Sequence, residues 1–332
     1  MENNSFEEIW NKLKEFKKAI ITLHSGPDGD SLGSCTAMKY VLEKYFNYEV
    51  TLISHDNLSE TLKSLDLSKE VEFGKDILDF DLNNFDILIA LDTGNAKRLG
   101  KNKKEINLPE DLFVINIDHH KTNEVYGNLN YVSSESSSTC SILVDLFQKV
   151  ELDFDSELSK RLLLGICTDT GFFKTVRAIS NVKKTFEQSV FLINHGANYV
   201  EDILMPIGIN LPWKMKKYRA LLINNAKINK EKRYCYSVLS SKDIKELNLN
   251  LAEVREGVQE LQDIKNIDLI WTLAEIDNYI KGSFRCKSEV DVSKIAKELG
   301  GGGHKRAAAF ILEDMSLEDA EKKVINTVEK FI

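Results

Sequence analysis

Four apolar runs of strand length punctuate the first third of the chain: AIITLH (19–24), EVTLIS (49–54), FDILIALD (85–92) and LFVINID (112–118). Helical or loop stretches lie between them. SLGSCTAMKYVLEKYF (31–46) carries apolar residues at Leu32, Cys35, Met38, Val41, Leu42 and Tyr45, the spacing of a helix with one buried face. Strands alternating with helices form a parallel sheet covered on both faces. Such sheets bind ligands beyond the carboxyl ends of their strands. The residues that close each run are therefore the first candidates for function.

Those residues are unusual. AIITL runs into HSGPDGDSLGS, which places His24, Asp28 and Asp30 within seven positions. A turn explains the Gly, the Pro and one Asp, but not the set. Asp92 closes the third run in LDTG, and Asp118-His119-His120 close the fourth. Asp169, in TDTG, ends a predicted helix that returns to the same edge. One Asp at a strand end is usually a helix cap. Five carboxylates and three imidazoles on one rim are a different matter. Unpaired, the carboxylates repel and some must protonate. Divalent cations offset that repulsion, and mixed oxygen and imidazole donors suit Mn²⁺, with Mg²⁺, Co²⁺, Fe²⁺ or Zn²⁺ as alternatives. The ligands suffice for two ions, which in phosphoester hydrolysis sit roughly 3.5–4 Å apart.

Two other readings fail. A calcium loop beginning at DGDSLG would put Leu32 and Lys39 where an oxygen ligand and a glutamate belong. The repeated Asp-Thr-Gly (92–94 and 169–171) suggests an acid-protease dyad. Asn95 and Phe172 follow it, however, and the flanking pattern is α/β. His55 and His195 stand without such company and receive no role.

Further helices are expected over 6–18, 136–150, 156–173 and 185–197, the last ended by Gly196. Residues 198–213 hold Pro206 and Pro212, and the pattern then changes. YCYSVLS, DLIWTLAEI and YIKGSFRC read as strands, VSKIAKELG as a helix leading into GGGH, AAAFIL as a strand, and SLEDAEKKVINTVEKFI as a final helix. This predicts a catalytic domain over 1–197, a linker over 198–213 and a smaller mixed-sheet α/β domain over 214–332. No internal repeat occurs. A net charge of −8 argues against coating long nucleic acid, which needs a basic face. A short anionic substrate remains compatible. Five scattered cysteines without a CxxC pair exclude a disulfide framework or structural zinc site and fit thiols in a reducing cytoplasm. With no signal-peptide core and no 18-residue apolar run, a cytoplasmic protein without a membrane segment is expected.

HSGPDGDSLGS, ALDTG, IDHH, GICTDTGFF and GSFRCKSEVDVSKIAKELGGGGHKRAAA, in that order, resemble the motifs of the DHH phosphoesterase superfamily, and most of all its nanoRNase (short-oligoribonuclease) and pAp-phosphatase branch. The resemblance implies a Rossmann-like parallel-sheet DHH domain, a DHH-associated domain and a cleft between them over which the second domain closes. It assigns His24 and Asp28 to one metal ion, Asp30, His119 and Asp169 to a second, and Asp92 to both. His120 would face the scissile phosphate, and Asp118 would support the histidines. The GGGH loop, Gly301, Gly302, Gly303 and His304, would grip the nucleotide together with Arg285. The implied activity is two-metal hydrolysis of RNA about two to five nucleotides long to nucleoside monophosphates, with 3′-phosphoadenosine 5′-phosphate as a second substrate. A linear or cyclic dinucleotide phosphodiesterase is the runner-up. A non-catalytic nucleotide-binding regulator would have lost ligands, and none is lost. A homodimer is compatible. Two departures stand out: Ala309 replaces a glycine usual after GGGH, and FKTVRAISN (173–181) is atypical, with Arg177 standing in for an arginine expected earlier.

Overall fold

Ser5 opens the first helix, α1 (Phe6–Leu13). Its hydroxyl accepts the Glu8 N–H while the Glu8 carboxylate accepts the Ser5 N–H, a reciprocal cap. The expected helix over 6–18 ends early because Lys18 already belongs to β1 (Lys18–Thr22). These coordinates come from a computed structural model that describes residues 3–101, 106, 108–174 and 182–332; Arg177 lies outside them. Contacts divide the chain into two units, Met1–Asn210 and Leu211–Ile332.

The first unit continues through α2 (Gly29–Phe46), β2 (Glu49–Ser54), α3 (Glu60–Lys63), β3 (Glu72–Phe73), β4 (Ile87–Leu91), β5 (Phe113–Asp118), β6 (Leu129–Val132), α4 (Thr139–Lys149), α5 (Ser156–Asp169) and α6 (Val182–Asn194). Its six strands are all parallel, in the order β3-β2-β1-β4-β5-β6. Strand order reverses between β1 and β4, where such sheets open a crevice at their carboxyl edge. Both faces are apolar, as a doubly covered parallel sheet requires. Ile21, Ile89 and Ile115 join the core that includes α2, α4 and α5. Ile20, Leu88 and Val114 face the other way, onto Leu82 and Leu99.

Residues 199–209, expected as linker, instead form a wide π-type helix, Tyr199–Ile209, started by the Asn198 side chain. Ile203 and Ile207, four residues apart, enter the core of the first unit, and this burial holds the segment in place despite Pro206.

The second unit comprises α7 (Trp213–Asn224), β7 (Lys227–Asn229), β8 (Tyr234–Leu239), α8 (Ser241–Glu246), α9 (Leu251–Glu256), β9 (Leu269–Ile276), β10 (Tyr279–Cys286), α10 (Val292–Glu298), β11 (Gly302–His304), β12 (Ala307–Glu313) and α11 (Leu317–Val328). Its sheet runs β11-β12-β10-β9-β8-β7 and is mixed, with only β8 and β9 parallel. Trp271, Phe284 and Phe310 pack with residues of α10 and α11 on one face. Leu239 and Ala274 pack with α7 on the other. Most of GGGH, read as a loop from sequence, is the edge strand β11. Gly302, Gly303 and His304 pair with Ala309, Ala308 and Ala307. A Cβ on Gly301 would lie 2.1 Å from the Ala309 carbonyl oxygen, so only glycine lets the chain approach so closely there. Among the described residues, no helix is long and apolar enough to cross a membrane.

Candidate metal centre

The ends of β1, β4 and β5 carry the first set of polar side chains, and the ends of two helices complete it. His24 follows β1 by two residues, Asp92 directly follows β4, and Asp118 is the last residue of β5. Asp92 adopts a left-handed backbone, φ 55°, a conformation aspartate tolerates better than most residues. It lies at the middle of the cluster and is 1% exposed. Its Oδ2 is 3.2 Å from His24 Nε2, and its Oδ1 is 3.4 Å from His119 Nε2 and 3.6 Å from His120 Nδ1. The Thr139 hydroxyl donates to the same Oδ1 at 3.3 Å.

Helix packing delivers the rest. Asp28 caps α2, accepting the N–H groups of Asp30 and Ser31 at 3.1 Å, so the structural reading of this Asp as a cap is correct as well. Its Oδ1 is also 3.8 Å from His24 Nε2. Asp30 is fully buried, with its oxygens accepting the Thr139 and Cys140 N–H groups at 2.7 and 3.0 Å. Those donors belong to the first turn of α4, where helix amides favour an anion. Asp169 ends α5, its Oδ2 3.2 Å from His119 Nε2. Glycines let α2 and α5 meet: a Cβ on Gly29 would lie 2.4 Å from the Thr168 side chain, and one on Gly165 2.4 Å from Asp30 Oδ1. Gly29 thus serves helix contact.

The rim side chains fall into three groups whose potential ligand atoms lie within 4.8 Å of one another: His24, Asp28 and Asp92; Asp30, His119 and Asp169; and Asp92, His119 and His120. The electrostatics are those of carboxylates that lack enough positive charge. Burial, then the charge of Asp92, pushes Asp30 up to about 7. Burial and the charges of Asp30, Asp28 and Asp92 likewise raise Asp169 well above the usual carboxylate range, although His119 opposes the shift. Burial works against Asp92 too, yet hydrogen bonds from His119 and His24 hold it well below that range. Burial also disfavours charge on His119, but Asp169, Asp92 and Asp30 raise its pKa well above the imidazole norm. The donor set fits divalent cations, which let all these groups ionise together.

Several supporting residues escaped the sequence reading. Arg98 places its guanidinium 2.9 Å from His24 Nδ1, and the Ser25 carbonyl oxygen lies 3.0 Å from that ring nitrogen. Asp56 accepts the Gly26 N–H at 2.7 Å and so holds the loop after β1. Asn116 and Asn123 brace the loops after β4 and β5. A signal for Asn123 existed, because asparagine in a turn commonly accepts the backbone N–H two residues on, as it does here from Val125. In the second unit, Arg285 pairs with Ala307 of β12, the residue that also pairs with His304. Arg285 and His304 thus share one row across the sheet, and Gly301 immediately precedes β11.

Residues 18–168 match the family profile described as the DHH family N-terminal domain, and residues 231–332 match the DHHA1 domain. The chain belongs to the DHH family. It is a metal-dependent hydrolase. A protein of Streptococcus mutans named as a probable bifunctional oligoribonuclease and PAP phosphatase, NrnA, is 28% identical over 309 residues, covering 92% of each chain. A Thermus thermophilus protein named as a bifunctional oligoribonuclease and PAP phosphatase is 25% identical and covers 99% of this chain and 98% of its own. The fold is shared with an exopolyphosphatase-related protein of Bacteroides fragilis, at a TM-score of 0.85, 22% identity and coverage of 98% and 96%.

Proposed function

We propose that the DHH unit hydrolyses the phosphodiester bonds of short oligoribonucleotides to nucleoside monophosphates, and that it also removes the 3′-phosphate of 3′-phosphoadenosine 5′-phosphate. The observation that carries the proposal is the sharing of Asp92 between two of the three ligand groups, within a chain similar over most of its length to proteins named for these two activities. His24 and Asp28 would hold one ion, Asp30, His119 and Asp169 a second, and Asp92 both; Mn²⁺ best suits this donor set, ahead of Mg²⁺ and Co²⁺. Ions bound there would supply Lewis-acid activation of the phosphoester and of the attacking water.

The chain's own side chains supply the rest. Asp118 accepts from His120 Nδ1 at 2.6 Å, which leaves Nε2 to face the substrate; the ring protonated at both nitrogens would donate from Nε2 to a phosphoryl oxygen as negative charge grows there. Burial excludes water around Asp30 and Asp92 and strengthens every charge interaction at the rim. In the second unit, Arg285 and the Gly301–His304 stretch would grip the nucleotide, with backbone N–H groups of β11 and a guanidinium as anion donors. All five cysteines are buried free thiols, in keeping with a cytoplasmic setting.

A panel of labelled substrates with Mn²⁺ tests the proposal: an RNA dimer, a pentamer, a 24-mer, 3′-phosphoadenosine 5′-phosphate, a cyclic dinucleotide and pyrophosphate. The expected result is rapid conversion of dimer and pentamer to mononucleotides, release of phosphate from the bisphosphate, and slow turnover of the 24-mer. A preference for the cyclic dinucleotide or pyrophosphate contradicts it.

A further inference from the structure

Asn123 lies outside the three ligand groups, and its side chain ties several parts of the rim's framework together. Its Nδ2 donates to Asp118 Oδ2 at 2.6 Å and to Asn116 Oδ1 at 2.8 Å, with the Thr93 carbonyl 3.4 Å away. Its Oδ1 accepts the Val125 N–H at 2.7 Å. Three acceptors surround the nitrogen and one donor meets the oxygen, so only one orientation of the amide satisfies the site. Asn116, fully buried, carries the network on to the Ala90 and Thr93 carbonyls. The Tyr126 hydroxyl donates to Thr93 as well. The turn after β5 is thereby tied to the loop that presents Asp92.

Two features show that the arrangement is held against a cost. Val125, a β-branched residue, adopts φ 54°. Left-handed backbone is unfavourable for such a side chain and persists only where neighbours impose it. Here the imposing bond is the one from its N–H to Asn123. Asp118 is itself fully buried. Its Oδ1 accepts from the His119 N–H and from His120 Nδ1, and Asn123 holds its other oxygen. With both oxygens engaged, the carboxylate cannot rotate without breaking a buried hydrogen bond.

We infer that Asn123 is a positioning residue that fixes the Asp118 carboxylate and, through it, the tautomer and orientation of the His120 ring. The inference rests on the catalytic reading of His120 given above. Asn123→Asp provides the test. It is isosteric and keeps an oxygen to accept the Val125 N–H, so the turn closes. It replaces the donor facing Asp118 with a second carboxylate. If Asn123 only closed the turn, this variant could lose stability but would leave the His120 tautomer and kcat unchanged. The positioning role predicts instead that kcat on an RNA dimer falls about ten- to a hundredfold, the loss typical of residues that orient an active-site group. KM should change less than about twofold, and Asn123→Ala should show a similar kcat loss. ¹⁵N NMR of the histidine rings in the ion-free protein reads the cause without substrate. His120, assigned by its disappearance in His120→Gln, should carry its proton on Nδ1 in the wild type and lose that preference in Asn123→Asp. Retention of the Nδ1–H form together with kcat within twofold of wild type overturns the inference. A wild-type protein inactive on RNA would sink the functional reading, while the tautomer measurement still decides the role of Asn123.

Discussion

The rim of the parallel sheet and the glycine edge of the mixed sheet are built by opposite means. At the rim, side chains are concentrated: Asp30, Asp92 and Asp118 are all buried within reach of one another's partners, at an electrostatic cost that bound cations would relieve. At the edge, side chains are withheld: Gly302 and Gly303 pair with Ala309 and Ala308, and Gly301 precedes them, leaving backbone groups and Arg285. The rim should therefore fail when a side chain is removed, and the edge when one is added.

The largest effect is expected at Asp92. Asp92→Asn keeps the shape and removes the charge shared by two ligand groups, so turnover should fall about a thousandfold or more, the upper range for loss of one key electrostatic group. Circular dichroism of the purified variant should remain that of the wild type, because asparagine fills the same volume and relieves the repulsion that Asp92 exerts on Asp30 and Asp169. A variant retaining a tenth of wild-type turnover would remove Asp92 from the centre.

Gly165→Ala adds a side chain at the rim's foundation. Its Cβ would fall 2.3 Å from Cys140 Sγ and 2.4 Å from Asp30 Oδ1. Overpacking of this kind costs about 1–3 kcal/mol, so the melting temperature should drop, and Mn²⁺ affinity should fall with it as Asp30 is displaced. Unchanged stability would mean that α2 and α5 can part without loss.

At the edge, Gly303 has φ 144°, and a Cβ there would meet the Ala307 carbonyl oxygen at 2.6 Å. Gly303→Ala should raise KM for an RNA dimer about tenfold, equivalent to about 1.4 kcal/mol of binding. Hydrolysis of bis-p-nitrophenyl phosphate, which offers no nucleotide to grip, should stay near wild type. Equal losses on both substrates would place the damage in the fold rather than in the grip.

The smallest effect calibrates the electrostatics away from both regions. Asp155 caps α5 and is held at about 2. Burial opposes that shift, while the Leu158 N–H, Lys44 and the Tyr40 hydroxyl stabilise the charge. A pKa depressed in the folded state contributes stability above the unfolded value, near 3.9, and that contribution is lost as pH falls from about 4 towards 2. Asp155→Asn should flatten this limb of an acid unfolding curve. The carboxylate is 35% exposed, so screening should keep the difference below about 1 kcal/mol. A steeper limb in the variant would reverse the sign of the interaction.

The sequence was most informative where chemistry is carried by residue type. The four apolar runs became β1, β2, β4 and β5 because a doubly buried parallel strand must be continuously apolar. The aspartates and histidines that close three of them do meet on one rim. What lay beyond sequence reading depended on three-dimensional neighbours. β3 and β6 are too short to show a period, and they exist because β2 and β5 offer them an edge. The helix over 199–209 owes its place to Ile203 and Ile207 entering a core formed mainly by residues far earlier in the chain. Residues 302–304 looked like a flexible loop because glycine carries no pattern, whereas pairing with β12 makes them a strand. Arg98 and Asn123 act through contacts with His24 and Asp118 that only the folded chain brings about.

The central claim is that Asp92 joins two ion sites on one rim. Isothermal titration of the ion-free protein with Mn²⁺ tests it most directly, run on the wild type and on Asp92→Asn. The account predicts two ions per chain in the wild type, with both sites weakened in the variant. A single ion in the wild type, or two sites of which only one responds to the substitution, would contradict it.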